Sequence, residues 1–155
     1  MDQAKNNGAT PLFLSSQNGH AEVAKLLLAN GAKADQANNG GGTPLFMSSK
    51  EGHHEMAELL LAKGAKVNQS RNDGATPLFT CSLKGHNEVA KLLLANGAKV
   101  NQAASDGATP LFTSSQEGHV EVAKLLLAND AKVDQADNAG NTPLSASRRH
   151  GHERW

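Results

Sequence analysis

Thr10-Pro11-Leu12-Phe13 returns as Thr43-Pro44-Leu45-Phe46, Thr76-Pro77-Leu78-Phe79 and Thr109-Pro110-Leu111-Phe112, and 43−10, 76−43 and 109−76 all equal 33. A chain this regular is a tandem array. Units of this length stack because one unit cannot bury its own apolar face and a neighbour has to complete it. Function is therefore expected on a surface built across units, not in an enclosed pocket. Full repeats run over residues 5–37, 38–70, 71–103 and 104–136, with a partial fifth over 137–155, so 1–155 is a single array. Met1-Asp2-Gln3-Ala4 matches the repeat tail Val133-Asp134-Gln135-Ala136, and the fifth repeat stops before a second helix is complete, so both ends read as incomplete.

The first repeat shows how a unit folds. Thr10 is placed to cap a helix whose first position is Pro11, where the missing N–H is not needed. That helix reaches about Asn18 and stops at Gly19, since glycine supplies the left-handed conformation a helix end often requires. A second helix starts near His20, carries Val23, Ala24, Leu26, Leu27 and Leu28 as a broad apolar face, and ends at Gly31. Glu22 and Lys25 suit the helix dipole and pair with each other for about 0.2–0.5 kcal/mol. Residues 32–41 are rich in Asn, Asp and Gly and predict an extended turn or hairpin.

The order Gly-x-Thr-Pro-Leu, Gly-His-x-Glu-Val and Leu-Leu-Leu-x-x-Gly-Ala resembles the ankyrin repeat over nearly the whole chain. Thr-Pro-Leu and Gly-His recur in register, the latter at Gly19-His20, Gly52-His53, Gly85-His86, Gly118-His119 and Gly151-His152. The resemblance implies an all-α fold, an ankyrin-type α-solenoid of stacked helix-turn-helix repeats with projecting hairpin loops. It also implies a non-enzymatic protein–protein interaction module that binds a protein partner on a concave face of hairpin tips and first helices. Departures from the family pattern are shared by the repeats. Phe13, Phe46, Phe79 and Phe112 stand where His is usual, exchanging an inter-repeat polar link for a stacked apolar column. Ser15-Ser16, Ser48-Ser49 and Ser114-Ser115 replace Ala-Ala, and Lys33, Lys66, Lys99 and Lys132 replace an acidic residue. Asp130 stands where other repeats have Gly, which predicts a weaker helix end in repeat four.

Composition narrows the function classes. With 15 basic and 15 acidic residues the formal net charge is zero, so no global field attracts nucleic acid or anionic membrane. No apolar run long enough to span a bilayer and no signal peptide is visible, which predicts an intracellular, cytoplasmic protein without a membrane partner. The lone Cys81 cannot form an internal disulfide and is expected as a buried filler. Equivalent histidines lie roughly 8–10 Å apart, too far to share a zinc ion, and are expected to start the second helix and hydrogen-bond locally. Gly40-Gly41-Gly42 lacks the Lys-Ser/Thr of a phosphate loop and reads as hairpin flexibility, and His150-x-His152 with Arg148, Arg149 and Arg154 reads as a frayed basic end. No repeat holds a singular Ser, His and carboxylate set, so neither an enzyme nor a cofactor is expected.

Variation concentrates just before Gly-x-Thr-Pro-Leu and just before Gly-His. The candidate partner-binding residues are Asn39, Lys50, Glu51, Asn72, Asp73, Leu83, Lys84, Ser105, Asp106, Gln116 and Glu117, with Leu83, the large apolar residue of its column, at the centre. Two other readings remain. Repeat one keeps the internal apolar pattern of Leu12, Phe13, Leu26, Leu27 and Leu28 without a polar cap, which would suit end-to-end self-association of a structural unit, with Trp155 folding over the last layer at the other end. The lysine ladder Lys33, Lys66, Lys99 and Lys132 would suit weak polyanion binding, diluted by Asp35, Asp73, Asp106 and Asp134.

Overall fold

The computed structural model describes residues 5–149. Met1 to Ala4, His150, the Gly151-His152 pair, Arg154 and Trp155 lie outside the described residues. The elements are α1 Pro11–Asn18, α2 Ala21–Ala29, α3 Pro44–Glu51, α4 His54–Ala62, α5 Pro77–Lys84, α6 Asn87–Ala95, α7 Pro110–Gln116, α8 Val120–Leu127 and α9 Pro143–Arg149. α1, α3, α5, α7 and α9 pack side by side in one layer, α2, α4, α6 and α8 in a second, and each first helix packs on the second helix that follows it. This is the all-α solenoid that the 33-residue period predicts.

Each first helix starts where the Thr-Pro signal places it. The hydroxyls of Thr10, Thr43, Thr76 and Thr109 accept the N–H of Phe13, Phe46, Phe79 and Phe112 at 3.1–3.2 Å, and proline holds the first helical position. Between the layers lies a continuous apolar core. Leu12, Leu45, Leu78 and Leu111 from the first helices meet Met56, Val89 and Val122 and Leu60, Leu93 and Leu126 from the second. The phenylalanines form the expected apolar column beside it: Phe13 and Phe46 with Ala9, Met47 and Ala75, then Phe112 with Ala108 and Ala146, and Phe79 bordering both groups. Serine replaces alanine in the buried helix turns without stranding most hydroxyls, because Ser16, Ser82 and Ser115 bond back to the carbonyls of Leu12, Leu78 and Leu111. Cys81 is buried in the main core, and burial pushes its thiol up to about 12, so it is an inert filler.

The histidines depart from the expected local bonding. His20, His53, His86 and His119 precede their helices without capping them. Instead Nε2 of His53, His86 and His119 reaches back one repeat to the carbonyls of Gln17, Lys50 and Leu83, at 3.0–3.1 Å. A carbonyl only accepts, so Nε2 carries the proton. These bonds tie each of the first three repeats to the next by a polar link. It also explains Gly52 doubly: its φ is +77°, and a Cβ there would sit 2.6 Å from the His86 ring.

The loops contain no strand among the described residues. Each tip is a tight turn closed by paired backbone bonds, as in Gly41 N–H to Asn38 carbonyl and Asn38 N–H to Gly42 carbonyl, both 2.9 Å. A left-handed glycine ends the turn, the geometry of a hairpin loop with a bulge but too short for a ladder. Successive tips join by single backbone bonds, Asn39 to Asn7, Asn72 to Gly40, Ser105 to Asp73 and Asn138 to Asp106, at 2.8–3.1 Å. A further seam follows the second helices, where the N–H of Lys66, Lys99 and Lys132 donates to the side chains of Asp35, Asn68 and Asn101.

Asp130 has φ 64°, the one positive value at a non-glycine among the described residues. α8 ends at Leu127, whereas α2, α4 and α6 run on to Ala29, Ala62 and Ala95, one position further in the repeat. Asp130→Gly is expected to relieve the left-handed strain and stabilise the array by about 0.5 kcal/mol net of the entropy that glycine adds to the unfolded chain. Urea unfolding would register this as a higher midpoint with unchanged slope; a lower midpoint would contradict the assignment.

Candidate partner-binding face

The sequence-selected residues fall in two rows, one on the tips and one at the ends of the first helices. Asn39, Asn72, Asp73, Ser105 and Asp106 lie on the tips and are exposed. Glu51, Lys84 and Glu117 are exposed at the helix ends, while Lys50, Leu83 and Gln116 are half-buried beside them. Leu83 belongs to none of the buried clusters, and its carbonyl is held by His119.

Several of these side chains already have structural work. The Asn39 amide donates to the Asn6 carbonyl at 3.3 Å, and the Asn72 amide donates to the Asn39 carbonyl at 3.1 Å. Asp73 and Asp106 accept the N–H of Ala75 and Ala108 at 3.1 and 3.0 Å, which closes their own turns. Repeat two solves the same problem differently. Gly40 has no side chain to offer, so Asn38, three positions before the left-handed Gly41, takes the role of acceptor. Variation at the tips therefore records alternative ways to hold a turn as well as freedom to bind.

Tips and first helices come together at the junction of repeats two and three. Gly40, Gly42, Phe46, Met47, Lys50 and Arg71 line a hollow of about 170 Å³ there, with Asn38 at its edge. Of these only Lys50 was among the selected candidates. Arg71 lies outside the two variable positions just before Gly-x-Thr-Pro-Leu, yet its own column is equally variable: Lys5, Asn38, Arg71, Ala104 and Asp137. Met47 had a similar signal, standing in a column with Leu14, Thr80, Thr113 and Ala146.

Electrostatically the face is mixed. Lys50 lies 3.7 Å from Glu51 and Arg71 lies 3.4 Å from Asp73, in pairs open to solvent. The second-helix layer carries its own pairs, Lys25 with Glu22, Lys91 with Glu88 and Lys124 with Glu121. The bond from Lys91 holds the Glu88 carboxyl below its ordinary range, and the bond to Glu22 holds Lys25 above its own. The lysine ladder Lys33, Lys66, Lys99 and Lys132 is exposed on the loops after the second helices. Among the described residues no group of His, Cys, Asp and Glu is placed to hold a metal, and no helix is long and apolar enough to cross a membrane.

Because Asn72 ties one tip to the next, Asn72→Ala is expected to cost about 0.5–1.5 kcal/mol. Glu117→Ala, whose exposed side chain makes no hydrogen bond or ion pair among the described residues, is expected within about 0.5 kcal/mol of the parent. Thermal unfolding of both variants checks the contrast; equal stability would show that the Asn72 amide contributes nothing to the array.

The model for ankyrin repeats matches in three overlapping stretches, residues 1–71, 34–104 and 101–154. No curated protein matches the chain. Ankyrin repeats are in general protein–protein interaction modules. A family match over the full described length, on a stack of helix pairs joined by tight tips, makes this chain a member of the ankyrin repeat family.

Proposed function

We propose that the chain is a non-enzymatic module that binds a protein partner on the concave face formed by its tips and first helices. The observation that carries this reading is the division of labour within the repeat. Positions that pack between repeats are nearly constant and buried, while the columns of Glu51, Lys84 and Glu117 and of Gly40, Asp73 and Asp106 are varied and exposed. Leu83 places an apolar side chain among them, half-buried and flanked by the Lys84 cation. Neither tyrosine nor a described tryptophan supplies an anchor, so affinity has to come from a row of modest polar contacts around few apolar ones.

Repeat four supplies a fold-neutral test. Leu83→Gln with Lys84→Glu gives repeat three the Gln116-Glu117 pair of its neighbour. Capture from lysate of the source cells, followed by binding measurements with the purified captured protein, is expected to show affinity falling at least about tenfold, or roughly 1.4 kcal/mol, in the variant. Captured proteins that bind parent and variant equally, or capture no better than bare beads, would overturn the reading.

A second reading has its own observation. Val23 is 49% and Leu26 66% exposed, whereas Met56, Val89 and Val122, in the Val23 column, are each 1% exposed. Leu12 and Phe13, also considered for a stacking face, are buried and take no part. End-to-end association through Val23 and Leu26 would make mass rise with concentration in sedimentation and abolish that rise in Leu26→Lys. A mass independent of concentration sinks it.

A further inference from the structure

The junction of repeats two and three departs from the other junctions in four places that meet at one point. Gly40 stands where repeats three and four have Asp73 and Asp106, and Gly42 stands where repeats one, three and four have Ala9, Ala75 and Ala108. Taking a carboxylate and a methyl from the tip opens the hollow of about 170 Å³. Its floor is Phe46 and Met47, and its rim carries the cations Lys50 and Arg71. At the next two junctions the rim positions hold Leu83 with Ala104 and Gln116 with Asp137, and at the preceding one Gln17 with Asn38. The array is its own control. Among the described repeats this junction alone joins missing tip side chains to two cations.

The walls are set before any ligand arrives. Asn38 Oδ1 accepts the N–H of Gly40 and Gly42 at 3.1 and 2.9 Å, the Arg71 N–H donates to the Ala75 carbonyl at 2.9 Å, and the Lys50 carbonyl accepts from His86 at 3.0 Å. The two charges are less committed. Their pairs with Glu51 and Asp73 are 3.7 and 3.4 Å long between side chains 38–53% exposed, a type of contact that contributes little and is readily exchanged. Arg71 also lies over the Phe46 ring, 5.4 Å from its centroid, which keeps the guanidinium at the rim against an apolar surface.

We propose that this hollow takes an acidic side chain of a partner peptide lying across the tips, its carboxylate meeting Lys50 and Arg71 and its methylene stem resting on Phe46 and Met47. The assignment rests on the partner-face reading above and names the chemistry recognised at one position. The size fits one side chain, since pockets for larger small molecules span roughly 300–1,000 Å³. Charge selects glutamate or aspartate over their amides, because ionised hydrogen bonds are about twice as strong as neutral ones.

The test uses acetyl-Ala-Ala-Glu-Ala-Ala-amide and its glutamine counterpart, titrated at matched millimolar concentration and ionic strength into the isotope-labelled chain. The glutamate peptide is expected to shift the resonances of Gly40, Gly42, Lys50 and Arg71, and the glutamine peptide to bind at least about fivefold more weakly. Two variants borrow residues from other repeats. Gly40→Asp with Gly42→Ala refills the hollow; neither glycine has a left-handed φ, and the nearest atom to an added Cβ is Asn38 Oδ1, at 3.4 and 3.3 Å. Lys50→Gln with Arg71→Ala removes the charges while leaving both glycines in place. Both variants are expected to abolish the shifts while spectra away from the junction stay unchanged. Equal response to both peptides, or no response in the hollow, overturns the proposal. Shifts confined to Asn72, Ser105 and Gln116 would also overturn it while leaving the partner-face reading standing, which falls only with the capture experiment.

Discussion

Everything in this chain depends on one helix pair covering the apolar face of the next. Position 23 of the first repeat and its equivalents Met56, Val89 and Val122 occupy the same place in the same local structure. Val23 is 49% exposed, while the other three are 1% exposed. What differs is the repeat that packs against them. Fully burying a side chain of that size stabilises by about 1.5–3 kcal/mol, and each interface buries several, so neighbour packing outweighs any contribution made within a single short helix. A lone repeat with helices of seven to nine residues has no such reserve.

Apolar packing alone does not set register, because leucine faces tolerate sliding. Register comes from polar seams that recur at fixed offsets. The tips bond 33 residues apart, as Asn72 does to Asn39, the histidines 36 apart and the loops after the second helices 31 apart. Each bond contributes only about 0.5–1.5 kcal/mol, but three kinds at the junctions of repeats one with two and two with three, and two kinds at that of three with four, penalise any shift along the stack together. Asn68 shows how far this goes: its side chain accepts from the Lys99 N–H and donates to the Gly97 carbonyl, so one amide clasps the next loop at two points. Asp35, in the same column, can only accept, and it makes the first of these bonds alone.

The same economy governs where function can reside. A framework residue is used on both sides by its neighbours and leaves nothing for a ligand, as with Cys81 in the core and the histidines between repeats. Specificity is left to the tips and first-helix ends, and even there the side chains of Asn39, Asn72, Asp73 and Asp106 are partly engaged in holding turns or joining them. The rest is decided by small local differences. Two glycines and two cations at one junction are enough to make it unlike the others, without altering the stack that supports it.

The array and its helices were legible in the sequence because they rest on local signals repeated in register: Thr-Pro at each first helix, glycine at its end, and the Leu-Leu-Leu face of the second. Asp130 marked an odd helix end by the same kind of signal, and the structure holds it at a left-handed φ of 64°, a position that taxes any side chain. The functional rows could be outlined from which columns vary. Which of their residues are free could not, because the partners lie a whole repeat away. Nothing in Gly-His announces that the ring bonds to a carbonyl 36 residues back, nothing in Asn72 that its amide belongs to Asn39, and nothing in Arg71 that it faces Lys50 across two missing side chains. Periodicity specified the unit. Tertiary stacking decided which polar groups were consumed in joining units and which were left facing outward, because that allocation depends on distances between repeats, not on the order of residues within one.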